Sequence, residues 1–291
     1  MVDSMKNVLF TGGSGFIGRN VINGLKEFCY IFAPTREELN LLDCDAVKKY
    51  IIDNKIQVVI NSANPNPVKN QLDKKEKMFE DSIRIFLNLY DAENYYEKMI
   101  TFGSGAEYDK SLDIDKIKEI EFGRSIPKDT YGLIKYTINL LIEKSEKQFN
   151  LRLFAVYGPT DHESKFITHV IRSILRNEII TIRKDCKFDY MQVMDLIGII
   201  RYFIYNNPKY NTYNVATGKD YYLSEIAEMI KEEMNSSLDI KLLSNEVNKA
   251  YTADNSRLLE EINDYEFTPL VEGIKKQIQF ERDYFNAQKS C

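Results

Sequence analysis

Asn7-Val8-Leu9-Phe10-Thr11-Gly12-Gly13-Ser14-Gly15-Phe16-Ile17-Gly18 opens as an apolar run and closes in a turn carrying four glycines. The residues that follow, Arg19-Asn20-Val21-Ile22-Asn23-Gly24-Leu25, place apolar side chains at helical spacing. The run before the turn reads as a buried strand, the stretch after it as a helix. Gly12 permits the tight turn, Gly15 lets the backbone approach a bound phosphate, and Gly18 lets the helix pack closely on the strand. Phe16 and Ile17 open the helix, whose first N–H groups lack intrahelical acceptors and carry partial positive charge. Strand, turn and helix in this order suit the pyrophosphate of a dinucleotide.

Further strand-like runs occur at 29–32, 58–61, 99–102 and 151–156, and several of the intervals between them carry helical apolar spacing. This alternation predicts an α/β fold, a Rossmann-type doubly wound parallel sheet with helices on both faces. Met78, Phe79, Ile83, Ile85, Phe86, Leu87 and Leu89 predict one amphipathic helix over 76–95, and a second is expected over 130–142. The polar stretch 109–127 reads as a loop with some helix, walling a cleft. After Gly158-Pro159 a smaller, mostly helical C-terminal lobe is expected, with 191–205 returning to the first domain. The expected division is 1–158 plus 189–215 for the dinucleotide-binding domain and 159–188 plus 216–291 for the substrate lobe.

The chain has 291 residues, 44% of them hydrophobic, and a net charge of -5. That length suffices for one large domain and a lobe. The acidic balance supplies no field for a nucleic-acid partner. No apolar stretch approaches the roughly 18 residues of a membrane span, and no secretory pattern is visible, so a cytoplasmic protein is expected. The four cysteines, Cys29, Cys44, Cys186 and Cys291, form no CxxC pair, and the histidines are His162 and His169. Reduced thiols and no metal site follow.

Tyr131-Gly132-Leu133-Ile134-Lys135 places a phenol and an ammonium four residues apart, on one face of the second helix. A tyrosine titrates at about 10, and bringing it to about 7 requires roughly 4 kcal/mol of preferential phenolate stabilisation. Lys135 is expected to supply much of this and to bond a cofactor ribose, while Tyr131 exchanges a proton with a sugar hydroxyl or carbonyl. Where the second strand ends, Thr35-Arg36 replaces the acidic residue that would bind a ribose 2′-hydroxyl. Arg36 can pair with a 2′-phosphate, which favours NADP (NADPH) while leaving NAD possible; alternatively Arg36 is a solvated charge and Glu37 takes the ribose.

Four more segments belong to the same pattern: Phe102-Gly103-Ser104-Gly105-Ala106-Glu107-Tyr108, Arg152-Leu153-Phe154-Ala155-Val156-Tyr157-Gly158-Pro159, Asp189-Tyr190 with Val193 and Asp195, and Tyr213-Asn214-Val215-Ala216-Thr217-Gly218. Taken with the two motifs above, they resemble the extended short-chain dehydrogenase/reductases, the NAD-dependent epimerase/dehydratase family acting on nucleotide sugars. The resemblance implies that Ser104 hydrogen-bonds the reacting oxygen, that Asp43, Ala63, Phe154 and Val156 lie along the cofactor, and that the two long helices form a homodimer. Gly105 and Ala106 stand where the family's dehydratases carry acids, so dehydration is not expected. Phe188 stands where an Arg often grips the pyrophosphate, leaving Arg172, Arg176, Lys184 and Lys187 as candidates for that grip. Thr35 to Asp43 is similar to the GDP-fucose synthases, and His169-Val170-Ile171 is similar to their catalytic histidine segment, although His169 is equally readable as a packed helix residue. Ala106 replaces their catalytic Cys at the substrate face.

The activity this implies is NADPH-dependent reduction, at carbon 4, of a nucleotide-diphospho-4-keto sugar, deoxy or heptose, for surface polysaccharide. The alternatives are a 4-epimerase with retained NAD and a non-catalytic NADP-binding regulator.

Overall fold

The structure is a computed structural model that describes residues 5–65, 75–263 and 265–289. In chain order the elements are β1 (Asn7–Thr11), α1 (Phe16–Leu25), β2 (Tyr30–Phe32), α2 (Cys44–Asp53), β3 (Val58–Asn61), α3 (Lys75–Tyr90), β4 (Lys98–Ser104), β5 (Ile114–Ile117), α4 (Thr130–Ile142), β6 (Gln148–Leu153), β7 (Ala155–Tyr157), α5 (Phe166–Leu175), β8 (Ile180–Ile182), β9 (Lys187–Phe188), β10 (Tyr190–Gln192), α6 (Leu196–Tyr205), β11 (Thr212–Val215), β12 (Tyr221–Tyr222), α7 (Leu223–Met234), β13 (Ile240–Leu242), β14 (Tyr251–Ala253), α8 (Ser256–Glu261) and α9 (Leu270–Lys289).

Six strands form the central sheet in the order β2-β1-β3-β4-β6-β11, and every neighbouring pair is parallel. Alternate side chains of a strand face opposite layers. Val8 and Phe10 therefore join α1 and α6 through Val21, Leu25, Ile199 and Phe203, while Leu9 joins α2, α3 and α4 through Val47, Phe86 and Ile138. Burial on both faces explains why β3 is apolar without alternation. From β1 the chain adds β2 on one side and then crosses to place β3 on the other. That reversal opens a crevice at the carboxyl ends of β1 and β3, where open α/β sheets bind ligands.

The C-terminal lobe is built on α5, α7 and α9, which share a core of Ile167, Ile171, Ile226, Ile230, Ile274 and Ile278. Beside it, β5, β14, β9 and β12 make a small sheet. Leu258 and Ile262, on the lobe side of the expected division at residue 216, instead pack into the sheet core with α6.

Two expectations about elements change. The helix predicted over 76–95 ends at Tyr90, and a single 3-10 turn, Glu93–Tyr95, follows. Tyr96 is buried and donates its hydroxyl to the Leu89 carbonyl at 2.9 Å, satisfying an acceptor released at the helix end. Within 109–127, read as a loop with some helix, the 3-10 turn Glu119–Glu121 supplies the helix, but β5 pairs with β14 from the far end of the chain. Its buried residues, Ile114 and Ile117, flank two exposed polar ones, so no local alternation marks it.

Candidate active site

The glycine turn takes the shape its composition allows. Gly12 has φ +72°, and a Cβ there would stand 2.7 Å from the Ser62 carbonyl oxygen. The Gly15 amide closes the turn on the Gly12 carbonyl at 2.9 Å. No side chain caps α1, so its first N–H groups are left without a side-chain acceptor beside the glycine turn. Gly18 sits against the backbone of Gly13 in the turn rather than against β1, a correction to its expected contact. Phe16 and Ile17 lean on the sheet core.

A cavity of about 410 Å³ runs along the ends of β1, β2 and β3, lined by Gly12, Ser14, Arg36, Leu42, Ala63 and Asn64 among others. The positive-φ turn, the open helix end and this length of groove fit a dinucleotide. Arg36 is exposed at the rim, on a turn held by Thr35 N–H to Glu38 Oε2 at 2.7 Å and Glu38 N–H to Thr35 Oγ1 at 3.3 Å. Asp43 does not line the cavity; it caps α2, accepting from the Ala46 N–H at 3.0 Å. A second, smaller crevice shares Ala63, Asn64 and Ile85 with the first and is closed by Tyr131 and Lys135.

Ser104 ends β4 and caps the 3-10 turn Gly105–Tyr108. Its Oγ accepts from the Ala106 N–H at 3.2 Å, and its own N–H donates to Glu107 Oε1 at 2.9 Å. Tyr131 stands in the first turn of α4, which Asp129 caps through the Gly132 N–H at 3.0 Å. Gly132 is required here by close approach: a Cβ would meet the Ala106 carbonyl at 2.7 Å. The fit lets α4 close on the Ser104 turn and brings Tyr131 beside the Ser104 side chain.

Lys135 donates to the Phe102 carbonyl at 2.7 Å, and its Nζ lies 6.0 Å from the Tyr131 ring centroid. Burial lowers its ammonium to about 8, against the pull of Glu107. Burial also pushes the Tyr131 phenol up, reinforced by the Glu107 and Asp129 carboxylates and opposed by the Ser104 hydroxyl beside it. Lys135, expected to depress Tyr131, is not among the groups that shift it: it gives one of its three N–H bonds to the Phe102 carbonyl, and burial keeps Tyr131 a phenol.

Beneath this pair lies a charge cluster that sequence reasoning missed. Arg152 Nε donates to Glu107 Oε2 at 2.7 Å with both side chains fully buried. Asn150 Nδ2 reaches both Glu107 oxygens at 3.2 and 3.1 Å, and Arg152 also reaches the Tyr108 hydroxyl. Glu107 thus joins the Ser104 backbone to a fixed polar network, the arrangement that makes burying an ion pair tolerable. The visible signal was Ser104-x-x-Glu107, the spacing of a capping box.

The remaining candidates disperse. Ala106 is 1% exposed, so its methyl does not face the crevice. His169 lies half-buried within α5. Arg172 donates to Glu281 Oε2 at 2.7 Å, tying α5 to α9, and Arg176 approaches Glu163 at 3.5 Å. Lys184 pairs with Glu246 and Lys187 with Asp220 at 3.5 Å. None of the four is poised as an uncommitted phosphate clamp. Phe154 is buried in an aromatic group with Tyr108 and Tyr251, and Val156 edges the sheet core. Cys29 and Cys186 are buried free thiols, Cys44 is partly exposed, and Cys291 lies outside the described residues. Among the described residues no helix is long and apolar enough to cross a membrane.

The geometry has counterparts among known proteins. CDP-abequose synthase of Yersinia pseudotuberculosis is 25% identical over 260 residues, covering 80% of this chain and 86% of that protein. The structure of GDP-mannoheptose C4 reductase from Campylobacter jejuni with NADP bound superposes with a TM-score of 0.80 at 18% identity, covering 96% of this chain and 98% of that one. A GDP-L-fucose synthetase from Naegleria fowleri gives a TM-score of 0.84 at 14% identity, covering 97% and 94%. The family model for NAD dependent epimerases and dehydratases matches residues 8–216, spanning both the glycine turn and the Ser104, Tyr131 and Lys135 site, and the chain is an enzyme of the NAD dependent epimerase/dehydratase family.

Proposed function

We propose that the protein reduces carbon 4 of a nucleotide-diphospho-4-keto sugar with NADPH. The observation that carries this reading is the continuous lining from Arg36 past the glycine turn to Tyr131 and Lys135, with Ser104 beside Tyr131 at its end. Arg36 would hold a 2′-phosphate, the α1 terminus a pyrophosphate, and Lys135 a ribose. The bound nicotinamide would supply hydride. Ser104 orients the sugar carbonyl, and Tyr131, kept protonated by burial, hands its phenolic proton to the oxygen as it gains charge. Gly105 and Ala106 bring no acid to this site, which favours simple reduction over dehydration or inversion.

The curated relatives that act on sugar nucleotides, CDP-abequose synthase among them, support this substrate class. A deoxy or heptose precursor of a surface polysaccharide, made in the cytoplasm by a homodimer, fits the same reading. The dimer would form across the outer faces of α3 and α4, where Phe79, Leu87 and Leu140 are exposed.

The test follows NADPH oxidation across a panel of nucleoside-diphospho-4-keto sugars. Turnover of one of them, cut about 100-fold or more in Tyr131→Phe with NADPH affinity retained, is the expected result. Cofactor retained through purification, with sugar inverted and no net NADPH consumed, would replace reduction by 4-epimerisation.

A further inference from the structure

The face of the sheet beneath Ser104 is polar although it is buried. Sheet register sets Gly103 of β4 across from Arg152 of β6 and Arg152 across from Asn214 of β11, with Thr101, Asn150 and Thr212 as the next row on the same face. None of these five polar side chains is more than 4% exposed. Apolar side chains would fill such a layer at lower cost.

The donors of this layer converge on one carboxylate. Glu107 Oε1 accepts from the Ser104 N–H at 2.9 Å and Oε2 from Arg152 Nε at 2.7 Å, while Asn150 Nδ2 reaches both oxygens. Arg152 donates as well to the Tyr108 hydroxyl and to Asn214 Oδ1 at 3.3 Å. Asn150 donates to Asn139 Oδ1 at 2.7 Å, on the helix that carries Tyr131 and Lys135. Gly103 makes room for this seat: a Cβ there would stand 2.3 Å from Glu107 Oε1 and 2.1 Å from Asn150 Oδ1.

We propose that Glu107 is a positioning residue of the reacting centre: anchored by Arg152 and Asn150, its carboxylate grips the Ser104 backbone N–H and sets the direction in which the Ser104 hydroxyl points.

The hydroxyl follows from the backbone. With its N–H fixed on Glu107, Ser104 turns its Oγ back to accept from the Ala106 N–H at 3.2 Å, which closes the capping box. That bond uses a lone pair of the hydroxyl and not its proton, which stays available for the oxygen of the sugar. A carboxylate is needed because three donors meet its two oxygens. A glutamine offers one oxygen and brings two more donors. That oxygen would stay on the Arg152 cation, the stronger bond, and the Ser104 N–H would lose its acceptor. That Ser104 meets a sugar carbonyl rests on the function proposed above; the grip of Glu107 on Ser104 does not.

Hydrogen exchange of isotope-labelled serine amides reads the Ser104 N–H without any sugar, its signal identified by its absence from Ser104→Ala. In Glu107→Gln, with the fold checked by melting temperature, the exchange rate at Ser104 relative to that of the Ser173 amide inside α5 should rise about tenfold or more. Where that variant does not fold, Gly103→Ala keeps Glu107 and Arg152 charged, pushes the carboxylate off the N–H and should raise the same ratio. In turnover of a sugar nucleotide, Glu107→Gln should lower kcat about tenfold or more with the KM for NADPH unchanged. Combined with Ser104→Ala it should be no slower than Ser104→Ala alone, because it acts through that serine. An unchanged exchange ratio in the folded variant, or losses of kcat that multiply, overturns the proposal. Failure of every 4-keto sugar as substrate would overturn the function but leave the exchange ratio readable.

Discussion

Arg36 and Asp161 show how far one side chain can be followed from its surroundings. Arg36 stands exposed where an acidic residue would otherwise read a ribose hydroxyl, on a turn braced by Thr35 and Glu38. Titration calorimetry should find NADPH bound more tightly than NADH, and Arg36→Ala should erase most of the difference, about 1.5 to 3 kcal/mol for charge-assisted bonds. Equal affinities in the unmutated protein would count against NADPH. Asp161 is 6% exposed, its Oδ2 has no hydrogen-bond partner, and burial raises its carboxyl to about 6. The folded pKa exceeds the unfolded one, so the folded state holds an extra proton between about pH 4 and pH 6 and loses stability as pH rises through that window. Urea unfolding at several pH values should show wild type losing about 3 kcal/mol relative to Asp161→Asn between pH 4 and pH 7, whatever constant offset the amide introduces.

At the scale of elements, helices are joined by single ionic contacts as well as by apolar faces. Arg172 of α5 reaches Glu281 of α9, whose side chain is 1% exposed and also accepts from Gln277 at 3.0 Å. Removing the cation leaves a buried carboxylate short of its counter-charge, which costs about 3 kcal/mol or more. Arg172→Ala should therefore lower the denaturation midpoint markedly; normal stability with a selective loss of sugar-nucleotide affinity would instead restore Arg172 as a phosphate ligand. Elements defined by local rules were legible in the sequence. The helix over 130–142 was found at its observed ends, because Asp129 caps it and its apolar spacing runs uninterrupted. The strand 114–117 was not, because its partner lies in β14 and nothing in its own residues records that pairing.

For the whole molecule, the exposed apolar side chains on the adjacent helices α3 and α4 are the surface that the proposed dimer would cover. Leu87 and Leu140 are each 40% exposed, on helices that pack beside one another against the sheet. Light scattering should give the mass of a dimer, and Leu87→Glu combined with Leu140→Glu should give a monomer, because each glutamate would be desolvated unpaired at the interface. A wild-type monomer would rule the interface out.

The sequence by itself determined the glycine turn, the alternation that builds a parallel sheet, and the pairing of Tyr131 with Lys135, since each depends on residues within a few positions of one another. Tertiary structure decided what those residues do to each other. Lys135 meets the Phe102 carbonyl, Arg172 meets Glu281 and Glu107 meets Arg152, across intervals of 33, 109 and 45 residues. Charge, donor count and burial at a site depend on neighbours in space, and no local spacing in the chain encodes which distant groups the sheet brings there.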